Sequence, residues 1–210
     1  MIKFLDVYRQ DKNLHKSIIK DINKLFKKND FILGREVINF ENNFAKFCKS
    51  KYAISCANGT DAITIALKSL NLPDQSEVII PAMTYCSTAF AVINANLKPV
   101  LVDTEYLKPT INLNDLKRKI TKKTKVILPV HLYGSVANLN GIKKLIKNKK
   151  IFLVDDCAQA HGAYDGSLIK TNKKVGSTSD ISCFSFYPGK NLVAYGDAVI
   201  ITTNNKKLYE

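Results

Sequence analysis

From Tyr52 onward, short apolar runs alternate with stretches of helical periodicity, and this alternation restricts the fold more than any single motif does. Tyr52–Ala57, Val78–Ile80, Pro99–Asp103, Val126–Val130, Ile151–Asp155, Cys183–Tyr187 and Ala198–Thr203 read as strands. Helices fit between most of them, around Thr60–Leu70, Cys86–Leu97, Leu113–Ile120 and Leu139–Lys147. Near-continuous apolar strands have no side suited to water, so an α/β fold is expected, with a seven-stranded, mostly parallel sheet covered by helices on both faces. The link between the last two strands is too short for a crossover helix, so Ala198–Thr203 should run antiparallel. Two amphipathic helices precede the first strand. Leu14, Ile18, Ile22 and Leu25 share one face of Leu14–Lys28, and Val37, Phe40, Phe44 and Phe47 recur at helical spacing through Lys49. Residues 1–50 are thus expected as an N-terminal helical segment and 51–210 as the main domain.

A 210-residue chain that is 46% hydrophobic can bury one substantial core. Its net charge of +14 raises the question of a polyanionic partner. The lysines are spread through most segments without a basic helix or an aromatic RNA-binding motif, so neither nucleic acid nor a membrane is expected as partner. No run approaches the length of a membrane span, and Met1–Asp6 carries a charge where a signal peptide has its apolar core. A cytoplasmic location is expected. Five cysteines without a Cys-x-x-Cys pair suggest neither a disulfide framework nor zinc, and His131 and His161 lack metal-ligand spacing. No metal is expected.

In such a sheet a ligand sits beyond the carboxyl ends of the strands. After the first strand, Asn58-Gly59-Thr60-Asp61 opens a helix whose N–H groups and dipole suit a phosphate, although ordinary helix capping explains the same residues. After the second strand comes Tyr85, at the same edge or in the core. The fifth strand ends in Asp155-Asp156, with Gln159 three residues on. Two buried carboxylates would repel, so one needs a cation or proton to face, unless the pair is an exposed cap. Pro188-Gly189 then cuts off a strand and places Lys190 on a tight turn. An amine there is partly desolvated, which favours the neutral nucleophile that condenses with a carbonyl.

Asn58-Gly59-Thr60-Asp61-Ala62, Ile80-Pro81-Ala82-x-Thr84-Tyr85, Leu128–Gly134, Asp155-Asp156-x-Ala158-Gln159-Ala160-His161-Gly162-Ala163 and Phe184–Leu192 together resemble the DegT-type sugar aminotransferases. The resemblance implies a pyridoxal 5'-phosphate (PLP) enzyme of the aspartate aminotransferase-like fold, type I. It implies Lys190 as the catalytic residue that carries the cofactor, Asp156 at the pyridine nitrogen and Gln159 at the ring hydroxyl. It also implies Tyr85 stacked on the ring, with Gly59, Thr60 and Ser185 at the phosphate. The form of the lysine loop is similar to the branch acting on thymidine-diphospho-3-keto-6-deoxyhexoses, with L-glutamate as donor, in deoxyamino-sugar biosynthesis. A related dehydratase branch has histidine where Lys190 stands. A homodimer is implied too, with Phe31–Glu36 as the loop reaching the partner. Val193, Ala198 and Val199 occupy positions where the family favours glycine, and side chains there are expected to crowd the cofactor or the partner subunit. The family's C-terminal small domain is expected to be absent, and the alternative reading is a truncated, non-catalytic remnant.

Overall fold

The computed structural model describes residue 3 and residues 6–10, 12–164 and 173–210; most of the Met1–Asp6 stretch lies outside the described residues. The strands are β1 (Tyr52–Cys56), β2 (Glu77–Pro81), β3 (Lys98–Val102), β4 (Thr124–Ile127), β5 (Phe152–Asp156), β6 (Ile181–Ser185) and β7 (Val199–Thr203). The helices are α1 (Val7–Gln10), α2 (His15–Lys28), α3 (Arg35–Cys48), α4 (Gly59–Ser69), α5 (Cys86–Asn94), α6 (Leu113–Lys119), α7 (Leu139–Ile146) and α8 (Lys206–Tyr209). All seven expected strands form one sheet, in the order β1-β7-β6-β5-β4-β2-β3. The β2–β3, β2–β4, β4–β5 and β5–β6 pairings are parallel. Strand β7 is antiparallel to both neighbours, β6 and β1, so it alone runs against the rest.

Alternation along the strands feeds two faces. Val78, Ile80, Val126, Val154, Ile181 and Val199 point to one side, where they pack on Ala62, Ile63, Ala66 and Leu67 of α4 and on Ala91 and Val92 of α5. Ile79, Ile127 and Leu153 point to the other, against Leu116 of α6 and Leu139 and Ile142 of α7. On that same side Phe184, Phe186 and Ile200 meet Phe44, Ala45 and Cys48 of α3. With both faces covered, strands β2, β6 and β7 are buried at every position, which is why their sequences show no polar side.

Two boundaries differ from the sequence reading in a way that shapes the site. The sixth strand ends at Ser185 instead of Tyr187: the Phe186 N–H still follows the β7 register to the Ala198 carbonyl at 2.8 Å, but the Phe186 carbonyl accepts from the Ala194 N–H of the returning loop at 2.7 Å. The turn bearing Lys190 is therefore tied at its base to the start of β7. Strand β4 stops at Ile127; beyond it the Leu128 N–H still donates to the Ile79 carbonyl at 2.8 Å, and Val130 forms an isolated bridge with Asp156. Among the described residues, no helix is long and apolar enough to cross a membrane.

Candidate active site

Because β1, β2, β4, β5 and β6 run in one direction, their carboxyl ends open on a single edge of the sheet. A cavity of about 880 Å³ lies there, and Gly59, Thr60, Tyr85, Asp156, Gln159, Ser185 and Lys190 all line it. Residues far apart in the chain are thus gathered into one place by strand order alone.

The α4 end of the cavity is built by capping. Asn58, in extended conformation, accepts the Asp61 N–H on its side-chain oxygen at 3.0 Å, and its Nδ2 donates to the Asp61 carboxylate at 2.8 Å. The capping interpretation is therefore correct for Asn58. It leaves the N–H groups of Gly59 and Thr60, which have no partner inside a helix, facing the cavity. Across from them sits Ser185. A Cβ at position 59 would lie 3.5 Å from the Ser185 Cβ and 3.7 Å from its Oγ, so glycine keeps open the gap between hydroxyl and helix end. Two free amides, a helix dipole and a hydroxyl around one gap match a phosphate group.

Asp155 and Asp156 are both buried, at 0% and 7% exposure, which rules out the exposed-cap reading. Strand alternation resolves the repulsion by sending them to opposite faces. Asp156 shares the α4/α5 side with Val154. Its Oδ2 accepts from the Thr88 hydroxyl of α5 at 2.9 Å, its Oδ1 accepts from the Ala158 N–H at 3.1 Å, and the Thr84 hydroxyl lies 2.8 Å from that of Thr88. Burial pushes the Asp156 carboxyl above its ordinary range, against the opposing pull of these donors and of the Lys190 charge. A desolvated carboxylate held this way suits a cationic nitrogen.

Gln159 accepts the Tyr133 N–H on Oε1 at 2.8 Å, which turns its NH₂ into the group left to donate. Tyr133 is held in the left-handed region at φ 55°, followed by Gly134 at φ 79°, so the Leu132–Gly134 turn serves to fix Gln159. Tyr85 directly precedes α5 and is 68% exposed, at the cavity mouth and not in the core. Lys190 is half-buried, and its N–H donates to the Tyr187 carbonyl at 2.8 Å, closing the Pro188-Gly189 turn. The next residue, Asn191, bonds His161 Nδ1 through its Oδ1 at 2.8 Å. Burial between Phe184 and Phe186 holds the His161 imidazole below its usual range.

Sequence reasoning missed Thr88, Thr84, Tyr133 and the His161–Asn191 contact. The quoted motifs contained all but Thr88, yet only packing of α5 on β5 reveals which side chain each one meets. The crowding expected from Val199 does not occur, since it is buried in the core against α4. Ala198 does line the cavity. On the opposite face, ligating atoms of His131, Asp155 and Cys157 lie within 4.8 Å of one another. Burial and the adjoining carboxylates push the Cys157 thiol well above its ordinary range.

The DegT/DnrJ/EryC1/StrS aminotransferase family profile matches residues 12–210. A dTDP-3-amino-3,6-dideoxy-alpha-D-galactopyranose transaminase from Aneurinibacillus thermoaerophilus is 40% identical over 210 residues, covering 100% of this chain and 56% of that protein. The fold overlays on the crystal structure of S. venezuelae DesV in complex with a ketimine intermediate at TM-score 0.92 and 33% identity, covering 99% of this chain and 54% of that one. It overlays on ntda from Bacillus subtilis with bound cofactor pmp at TM-score 0.91 and 31% identity, covering 99% and 46%. The chain spans about half the length of the curated relatives it matches.

Proposed function

This chain belongs to the DegT/DnrJ/EryC1/StrS aminotransferase family, and from that premise we propose that its cavity binds PLP and serves amino transfer to the keto carbon of a nucleotide-linked sugar. The observation that carries the reading is the convergence of a turn lysine, a buried carboxylate and an amide-lined phosphate gap on one cavity. When bound, the cofactor supplies an electron sink for the carbon that gains or loses the amine.

The protein's part follows from its own groups. Gly59 and Thr60 amides with the Ser185 hydroxyl hold the phosphate, and the Asp156 carboxylate, steadied by Thr88 and Ala158, holds the ring nitrogen in its protonated form. The Gln159 NH₂ donates to the ring hydroxyl while its oxygen stays on Tyr133. Tyr85 covers the ring face at the mouth. Lys190 Nζ would hold the cofactor covalently, and its amine is the group that would take and return a proton at the reacting carbon. The donor is proposed to be L-glutamate, as the family resemblance implies, and the acceptor a thymidine-diphospho-3-keto-6-deoxy sugar, which the name of the 40% identical transaminase supports. A homodimer is also proposed, and the exposure of Phe31, Ile32 and Leu33 supports it.

The test is covalent. Protein supplied with PLP and reduced with borohydride should carry the label on the peptide containing Lys190. Lys190→Ala should lose the label and lower amine transfer by roughly 10²–10⁴-fold or more. A label on another lysine would overturn the assignment.

A further inference from the structure

His131 and Asp155 are fully buried, yet neither touches the cavity in which the proposed chemistry takes place. Both retain a buried polar atom without a hydrogen-bond partner, His131 Nε2 and Asp155 Oδ1. A buried carboxylate is costly, and an apolar residue of the same size would serve stability as well. What the pair touches supplies a reason for it.

His131 Nδ1 accepts the Ala137 N–H at 3.1 Å, which assigns the ring proton to Nε2. Nε2 lies 3.5 Å from Asp155 Oδ2, in ion-pair range and outside hydrogen-bond geometry, and the same oxygen accepts from the hydroxyls of Ser179 at 2.6 Å and Ser182 at 3.4 Å. The main chain of His131 reaches the next residue along. Its N–H donates to the Asp156 carbonyl at 3.0 Å, and two residues earlier the Pro129 carbonyl accepts the Asp156 N–H, also at 3.0 Å. One residue thus meets two consecutive aspartates just beyond the end of β4, Asp155 through a side-chain contact and Asp156 through a backbone hydrogen bond.

We propose that His131 and Asp155 form a positioning pair that fixes the Asp156 carboxylate from behind. The pair sits on the α3/α6/α7 side of the sheet and Asp156 on the α4/α5 side, so the brace acts through the backbone without entering the cavity. It explains why two carboxylates stand side by side at the end of β5: one faces the ligand and the other anchors its neighbour. The inference deepens the PLP reading and rests on it for the identity of the group that Asp156 holds.

The experiment compares the 210-residue chain with Asp155→Asn and His131→Asn. Hydrogen exchange of the Asp156 and His131 amides, read without cofactor, should accelerate at least tenfold in both variants while amides of β2 stay protected. With PLP, the dissociation constant should rise about tenfold and the visible absorption band of the bound cofactor should shift. A folded Asp155→Asn protein with unchanged Asp156 exchange and unchanged PLP binding would overturn the brace. Should both variants fail to fold, ¹⁵N NMR of the unaltered chain decides. A His131 ring protonated on Nε2 alone supports the pair, and one protonated on Nδ1 overturns it. If the unaltered chain binds no PLP, the proposed function fails while the exchange measurement still tests the brace.

Discussion

Helices α2 and α3 have the same length, 14 residues each, and both are amphipathic, but they meet different surroundings. In α3, Phe44, Ala45 and Cys48 are buried, and Phe44 packs edge-on against Phe184 and Phe186 with centroids 5.0 and 5.2 Å apart. Glu41 adds a polar tie, accepting both the N–H and the hydroxyl of Ser55 on the outermost strand β1 at 2.8 and 2.7 Å. In α2 no residue is buried, and Ile19 and Phe26 are 60% and 62% exposed. Periodicity therefore identifies a face but not what covers it. Helix α3 became part of the core because its aromatics have a partner surface in β6, which also supplies Ser185 to the cavity.

The sharpest way to break this contrast is Phe44→Ala, expected to destabilise by about 3–5 kcal/mol, since it empties the centre of the aromatic cluster. Urea denaturation should show a lower midpoint, and an unchanged one would mean that α3 is as dispensable to stability as α2. Gly176→Ala comes next. Gly176 has φ +98°, and an added Cβ would meet Phe184 Cζ at 2.8 Å and Cys48 Sγ at 3.0 Å. A loss of roughly 1–3 kcal/mol is expected from the backbone conformation, with further loss from the clash, visible as a lower melting temperature.

Acid should also act on the α3 side. The His161 imidazole, packed on Phe184 and Phe186, is held below its ordinary 6.5 by burial. When the pH falls through about 6.5, the unfolded chain takes up a proton that the folded chain refuses, so stability drops until the folded value is reached. His161→Gln should lose less stability than the unaltered chain between pH 7.5 and pH 5.5. Equal losses would assign the acid sensitivity to other groups. The smallest effect belongs to α2, where Phe26→Lys should change stability by no more than about 0.5 kcal/mol. A large loss there would show that α2 is held by more than its visible contacts.

The same distinction explains what was legible in the sequence. Strands and helices were readable because burial on both faces, or on one, writes directly into apolar spacing. Lys190 and the Asp155-Asp156 pair were readable as candidates because strand ends and turn residues are local features, whereas Ser185 and the choice of Asp156 followed only from the family resemblance. The insertion of β7 between β1 and β6 was not, since pairing partners leave no mark in local composition. Nor was the division of labour between Asp155 and Asp156, which depends on what Thr88 and His131 bring from other elements. Val199 differs for a related reason: the family's glycine at that position suggested crowding of the cofactor or partner, but strand alternation turns it toward α4.

The placement of β7 also bears on the order in which the molecule is made. Strand β1 leaves the ribosome early, but its register partners Val199–Thr203 are made after the other described strands, and among the described residues β7 is its only neighbour in the sheet. Until then β1 has an unpaired backbone, and Ile200 and Ile201, which close the two cores, are not yet in place. Closure across so long a separation is slow and leaves β-prone chain exposed meanwhile. Strand β1 should consequently stay protease-sensitive until Val199–Thr203 has been made, which ribosome-bound chains stalled before and after β7 would reveal.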